Sequence, residues 1–218
     1  MAFLRARTDE QRAARREQIL RTAAGMLVEM PVAKLSLNEL SRRTCLAKAN
    51  VLRYFESREA ILLDLLHAEM REWIAELDGV EPAGVTPRER GDRLAEILAR
   101  SLEGRPVLCD LLSAQPSVLE HNISAELALE HKREASHLME SLSALVGRHL
   151  PELGADDATA LVETTLLVAV AAWPCSRPPE AMLAAYAADP ALAPMRPDFG
   201  GMLRRTVAVT VCGLLARK

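Results

Sequence analysis

The stretch Ser36–Phe55, SLNELSRRTCLAKANVLRYF, decides how this chain is read. Ser36 stands three residues before Glu39, the spacing of a capping box, and Leu37 and Leu40 supply an inward face for the helix that follows. That helix is expected to end near Arg43 or Thr44. A second one, over roughly Ala47–Tyr54, begins after a short turn, and Leu37, Leu40, Leu46 and Val51 can lock the pair together. Lys48 and Asn50 then fall on the exposed start of the second helix, with Arg53 and Tyr54 a turn further on and Arg42 and Arg43 just before the turn. Such a pair, one helix lying across a phosphate backbone and the next offering its first residues to a groove, suits DNA. Lysine can contact phosphate or guanine, and asparagine adenine or phosphate.

Working outward, the first helix is expected from Thr8 or Arg12 to Glu29. Ile19, Leu20, Ala23, Ala24, Leu27 and Val28 give it one apolar stripe, with Arg12, Arg15, Arg16 and Arg21 largely off that stripe, and Pro31 closes it. Ser57 caps a fourth helix that runs to Gly79. Thr86, Pro87 and Glu89 provide cap, first-turn proline and box partner for a fifth that ends at Gly104. Pro106 starts a short sixth to about Ala114. Ser117 with Glu120 reads as another capping box, opening a long seventh helix that Pro151 ends, with room for a break near Asn122–Ser124. Asp156 or Asp157 caps an eighth, stopped after Trp173 by Pro174. Residues 174–199 hold six of the twelve prolines and have room for one short helix, about Glu180–Ala187, before a last helix over Gly201–Ala216.

The composition agrees with an all-α chain. Half of the 218 residues are hydrophobic and only 3% aromatic, and helix formers dominate over the β-branched and aromatic residues that fill strands. Net charge is −3, but residues 1–60 hold 12 Lys/Arg against 7 Asp/Glu, leaving 15 against 23 for the remainder. A basic head on an acidic body implies that the head alone meets a polyanion. No apolar stretch follows the basic MAFLRART to make a signal peptide. The runs Leu166–Trp173 and Val207–Ala216 fall short of the roughly 18 to 20 residues of a membrane span, so a cytoplasmic protein is expected. Cys45, Cys109, Cys175 and Cys212 lack zinc-site spacing and read as reduced, mostly buried thiols. His67, His121, His131, His137 and His149 are dispersed. Glu130, Glu134 and His137 share a helix face that reads as solvated rather than metal-binding. With no phosphate loop and no histidine at motif spacing from a serine or cysteine, neither metal, cofactor nor catalysis is expected.

The stretch from Gln18 to Leu66 resembles the N-terminal domain of the TetR family of transcriptional repressors. The resemblance is carried by Ala23-Ala24 in the first helix, the S-x-x-E-L of Ser36–Leu40, Lys48 early in the third helix, Tyr54-Phe55 at its end, and Ser57-Arg58-Glu59 opening the fourth. Three positions depart from the family pattern: Cys45 replaces a turn glycine, Ala47 a serine, and Leu52-Arg53 an aromatic pair. Loss of the serine cap costs about 0.5 to 2 kcal/mol of helix stability, and Cys45 is strained if its φ is positive. The phosphate grip of the aromatic pair would pass in part to Arg53 and Tyr54.

The resemblance implies a helix-turn-helix DNA-binding domain over residues 1–56 and a helical effector-binding and dimerisation domain over 57–218. DNA contacts would come from Ser36, Arg43, Lys48, Ala49, Asn50, Arg53 and Tyr54. An effector pocket would draw on Met70 and Trp73, Leu98 and Leu102, Leu112 and Gln115, Asn122 and Ile123, and Thr165 and Trp173. So few polar groups suit a mostly apolar effector with one or two hydrogen-bonding handles. The last two long helices would form a homodimer interface. Leu203, Val207, Val211 and Leu214 on one face of the final helix, with Val209, Cys212 and Leu215 on others, make it more apolar all round than a surface helix. The expectation is a homodimeric repressor released from its operator by a small effector. A cysteine redox sensor acting through Cys45, and an all-α enzyme or partner-binding scaffold, are the alternatives.

Overall fold

The computed structural model describes residues 2–217, with side chains from Glu10 onward, and within them ten α-helices and no strand. The side chains of the basic segment MAFLRART lie outside the described residues. Helices α1 (Ala2–Glu29), α2 (Leu37–Thr44) and α3 (Lys48–Val51) build the head. The first begins at Ala2 rather than at Thr8 or Arg12. Ile19, Ala23 and Leu27 are buried as the periodicity predicts, whereas Val28 is 79% exposed and Met26 is fully buried. At 3.6 residues per turn Val28 lies opposite Ile19, and Met26 falls almost in line with it.

The body consists of α4 (Arg58–Asp78), α5 (Pro87–Glu103), α6 (Pro106–Ala114), α7 (Ala125–His149), α8 (Ala155–Ser176), α9 (Glu180–Ala188) and α10 (Phe199–Ala216). Helix α8 packs against α6, α7 and α10, while α10 also lies along α5. The core runs without a break from the head through Leu62, Leu66 and Trp73 of α4 into Leu98, Leu161 and Val207; of the four cysteines only Cys109 joins it, and Cys45, Cys175 and Cys212 are exposed rather than buried. Helices α5 and α10 cross closely at Gly91, where a Cβ would stand 2.5 Å from a Val211 methyl.

Thr86 and Glu89 form the expected capping box, with Pro87 in the first turn. Ser36 and Ser57 also cap their helices. The box at Ser36 is only half made: Glu39 N–H donates to Ser36, but the Glu39 carboxylate turns outward to Arg42 and Arg43. The box expected at Ser117 does not form. A single wide helical turn covers Gln115–Leu119, and Asn122 takes a left-handed conformation at φ 56°. Ser124 then caps α7 by accepting from Leu127 N–H. Pro174 does not stop α8, which continues to Ser176; in a last turn a missing proline N–H removes one backbone bond without disturbing those upstream. Neither Asp156 nor Asp157 is the cap of α8; Gly154 takes that place and both carboxylates sit in the first turn, where the helix dipole favours them. The proline-rich segment folds as α9 and a 3₁₀ turn, Pro190–Met195, and no residue of either is buried.

Candidate DNA-reading surface

The junction between α2 and α3 is set by local backbone chemistry. Cys45 adopts φ 54° and ψ 34°, and the N–H groups of Cys45 and Leu46 bond back to the carbonyls of Arg42 and Ser41 at 3.3 and 3.1 Å. This is the Schellman arrangement, which places a left-handed residue after the helix and satisfies its last carbonyls. Leu40 and Val51 are fully buried, and Leu37 and Leu46 pack against them. The recognition helix α3 is shorter than expected, four residues followed by a turn to Tyr54, and Ala47 gives its N-terminus no side-chain cap.

That geometry leaves Lys48, Ala49 and Asn50 exposed on one short helix, with Arg53 exposed beside them and Tyr54 half-buried. Ser36 is exposed at the start of α2. Arg43 is tied down, its guanidinium bridging Glu29 of α1 at 2.7 Å and Glu39 of α2 at 3.0 Å. Hydrogen bonds from Arg42 and then Arg43 hold the Glu39 carboxyl down to about 2, so at neutral pH this corner is a fixed network of ions. Arg42 remains the more exposed of the two arginines.

Two further arginines belong to this surface. Arg12 and Arg15 of α1 line a groove of about 740 Å³ with Gln11, Gln18, Arg53 and Tyr54. Their sequence signal was only that they fall off the apolar stripe. Arg16, one residue on, turns inward. It donates to the Tyr54 carbonyl and to Asp64 of α4, both at 2.6 Å, and its guanidinium lies 4.1 Å from the centre of the Phe55 ring. The ion pair is partly exposed and contributes about 1 kcal/mol or less; its consequence is to fix the end of the recognition helix to α1 and α4.

Three other hydrogen bonds join head to body. Both carboxylate oxygens of Glu56 accept from Ser124, one from its N–H and one from its hydroxyl, each at 2.7 Å. Val32 N–H donates to Asp110 of α6 at 2.6 Å. Within the body, His67 of α4 and His131 of α7 stack with ring centres 5.0 Å apart and ring nitrogens 2.8 Å apart. Gln115 and Glu120 reach the far nitrogen of His131. Burial, then the neighbouring His131, lowers the pKa of His67 to about 4. The pair joins residues 64 positions apart, and no sequence spacing announces it.

The residues expected to line an effector pocket fare differently. Met70, Trp73, Leu98, Leu102 and Leu112 are at most 6% exposed and fill the core. Trp73 donates its indole N–H to Ser101 at 2.9 Å, and the Thr165 hydroxyl donates to the Leu161 carbonyl of its own helix at 2.7 Å. Gln115 belongs to the histidine network, Asn122 is exposed and Ile123 half-buried. Trp173 borders an open cleft beneath α9 and the 3₁₀ turn.

Known proteins place this architecture. A family model described as tetracyclin repressor-like, C-terminal domain, matches residues 67–218. A possible TetR family regulator from Streptomyces coelicolor is 18% identical with a TM-score of 0.61, covering 93% of this chain and 100% of its own. A transcriptional regulator from Rhodococcus is 16% identical at 0.57, with 93% and 96% covered. The transcriptional regulator FadR of Bacillus subtilis, solved in complex with stearoyl-CoA, is 13% identical at 0.55, with 90% and 98% covered. No curated protein matches the chain. The family match covers more than half of the chain, so this all-α protein with its N-terminal helix-turn-helix belongs to the TetR family of transcriptional regulators.

Proposed function

We propose that the chain is a homodimeric repressor that binds operator DNA in the cytoplasm through residues 1–56 and is released by a small effector bound within residues 57–218. The observation that carries the reading is the exposed set Lys48, Ala49, Asn50 and Arg53, flanked by Arg12 and Arg15 along one groove. Lys48 and Asn50 suit base edges or phosphates, while Arg12, Arg15 and Arg53 suit the backbone. Ser36 and Tyr54 sit where they can add phosphate contacts, and Arg43 contributes by holding α2 to α1.

Dimerisation is supported by α8 and α10. Their inner faces, including Leu203, Val207 and Val211, pack within the chain, yet Leu167 and Val209 remain 69% and 66% exposed, and Cys212 is exposed beside them. By length and composition both helices could cross a membrane, which counting uninterrupted apolar runs concealed. Neither lies free of the body, however, and pairing the outer faces with a second copy covers them as a four-helix interface. Two heads would then sit about 34 to 36 Å apart, one DNA turn or a near multiple. An effector that favours the state with altered head spacing lowers DNA affinity by linkage, and DNA lowers effector affinity by the same factor. The contacts of Glu56 with Ser124, and of Asp64 and Asp110 with the head, supply the coupling.

The test is an electrophoretic shift on the DNA upstream of the protein's own coding sequence. Retardation is expected, with at least a tenfold loss in a Lys48→Ala, Arg53→Ala double variant. No retardation by the wild-type protein, or full retardation by the double variant, contradicts the proposal.

A further inference from the structure

At the end of α8, beneath the segment that joins it to α10, lies an open cleft of about 600 Å³. Its floor is aromatic. Trp173 and Phe199 meet edge to face with ring centres 5.1 Å apart, and Leu183 and Pro178 add apolar wall on the α9 side. No residue of α9 is buried, so the apolar side chains of this roof are not taken up by the core.

The polar groups of the cleft divide into two sets. Glu103 and Asp198 lie against the first turn of α10: a Cβ on Gly200 would stand 2.8 Å from Glu103 Oε2, and one on Gly201 would collide with Asp198. Unpaired N–H groups and the helix dipole favour carboxylates there, although the Asp198 side chain makes no cap hydrogen bond. Arg177 and Arg196 form the second set. The Arg177 guanidinium carbon lies over the Trp173 ring, 3.7 Å from its centre, and among the described residues neither guanidinium has a carboxylate within ion-pair distance. Stacking on an aromatic face fixes the plane of a guanidinium and leaves its N–H edge open, which is the geometry for a bidentate carboxylate.

We propose that this cleft binds an aromatic carboxylate, its rings against Phe199, Leu183 and Pro178 and its carboxylate on Arg177 and Arg196. The volume falls within the usual range of small-molecule sites. Binding stands on the cleft alone; that the bound acid acts as effector rests on the repressor reading above.

Isothermal titration of the full chain, without DNA, with 2-naphthoate and with the cation 2-naphthylmethylammonium tests the site. One naphthoate per protomer is expected, weakened at least tenfold by Arg177→Gln and by Arg196→Gln, with no binding of the cation. Circular dichroism of both variants should match wild type, since both side chains are exposed. Failure of naphthoate to bind, equal binding by both variants, or equal binding of the cation overturns the site. Naphthoate that binds while a retarded DNA complex persists overturns only its role as effector. Absence of any DNA complex overturns the repressor reading and leaves the site intact.

Discussion

Cys45 holds a backbone conformation that its side chain disfavours. At φ 54° and ψ 34° a non-glycine residue loses about 1 to 2 kcal/mol, and the Schellman bonds from Cys45 and Leu46 keep it there. Cys45→Gly relieves that strain but adds about 0.5 to 1 kcal/mol of unfolded-state entropy. The expected net effect is stabilisation by up to about 1 kcal/mol in urea unfolding. Cys45→Val, with a β-branched side chain in the same conformation, is expected to destabilise by about 1 kcal/mol or more; a valine variant as stable as the glycine variant would remove strain from the account. This position was legible in the sequence because turn length and the lack of glycine are local properties. The exposure of Lys48 and Asn50 on α3 was legible for the same reason. Arg43 was not: its partner Glu29 lies on another helix, and only the fold shows that its charge is already engaged.

Among the elements, local signals placed most helix starts, while tertiary partners decided the exceptions. Thr86, Pro87 and Glu89 act within four residues and form what their spacing predicts. Ser117 and Glu120 have the same spacing, but the Glu120 carboxylate is drawn to Gln115, His131 and Lys132 instead, and α7 starts at Ser124. The His67–His131 stack between α4 and α7 gives this region a pH dependence. Glu134 and Arg71 face His67, and Glu120 and Lys132 face His131. Both histidines have lowered pKa values, chiefly from burial, that of His67 falling from 6.5 to about 4. The unfolded chain therefore takes up protons that the folded chain refuses. Their contribution to stability is intact above pH 6.5 and is lost as pH falls toward 4. Urea midpoints should drop between pH 7 and pH 5, and the drop should be smaller in His67→Gln. Equal losses in the two proteins would mean that the stack does not set this dependence.

At the scale of the whole molecule, the all-α fold and the basic head were readable from composition, caps and charge distribution. The arrangement of the body was less so. An apolar helix reads the same whether it faces its own core or a second copy; in α10, Leu203, Val207 and Val211 face inward and Val209 is left exposed. The ten residues expected around an effector were chosen by type, and type does not separate a packed core from an open cleft; of the ten, Trp173 borders the cleft under α9. The proposed function requires two basic heads, spaced by one dimer, to grip DNA phosphates together, and an anisotropy titration of the retarded DNA fragment over a series of salt concentrations tests this. Two protomers per site are expected, with a slope of log K against log salt of about −4 or steeper that becomes shallower by about 2 in Arg53→Ala as one phosphate contact leaves each head. One protomer per site, with a slope near zero that Arg53→Ala leaves unchanged, would contradict it.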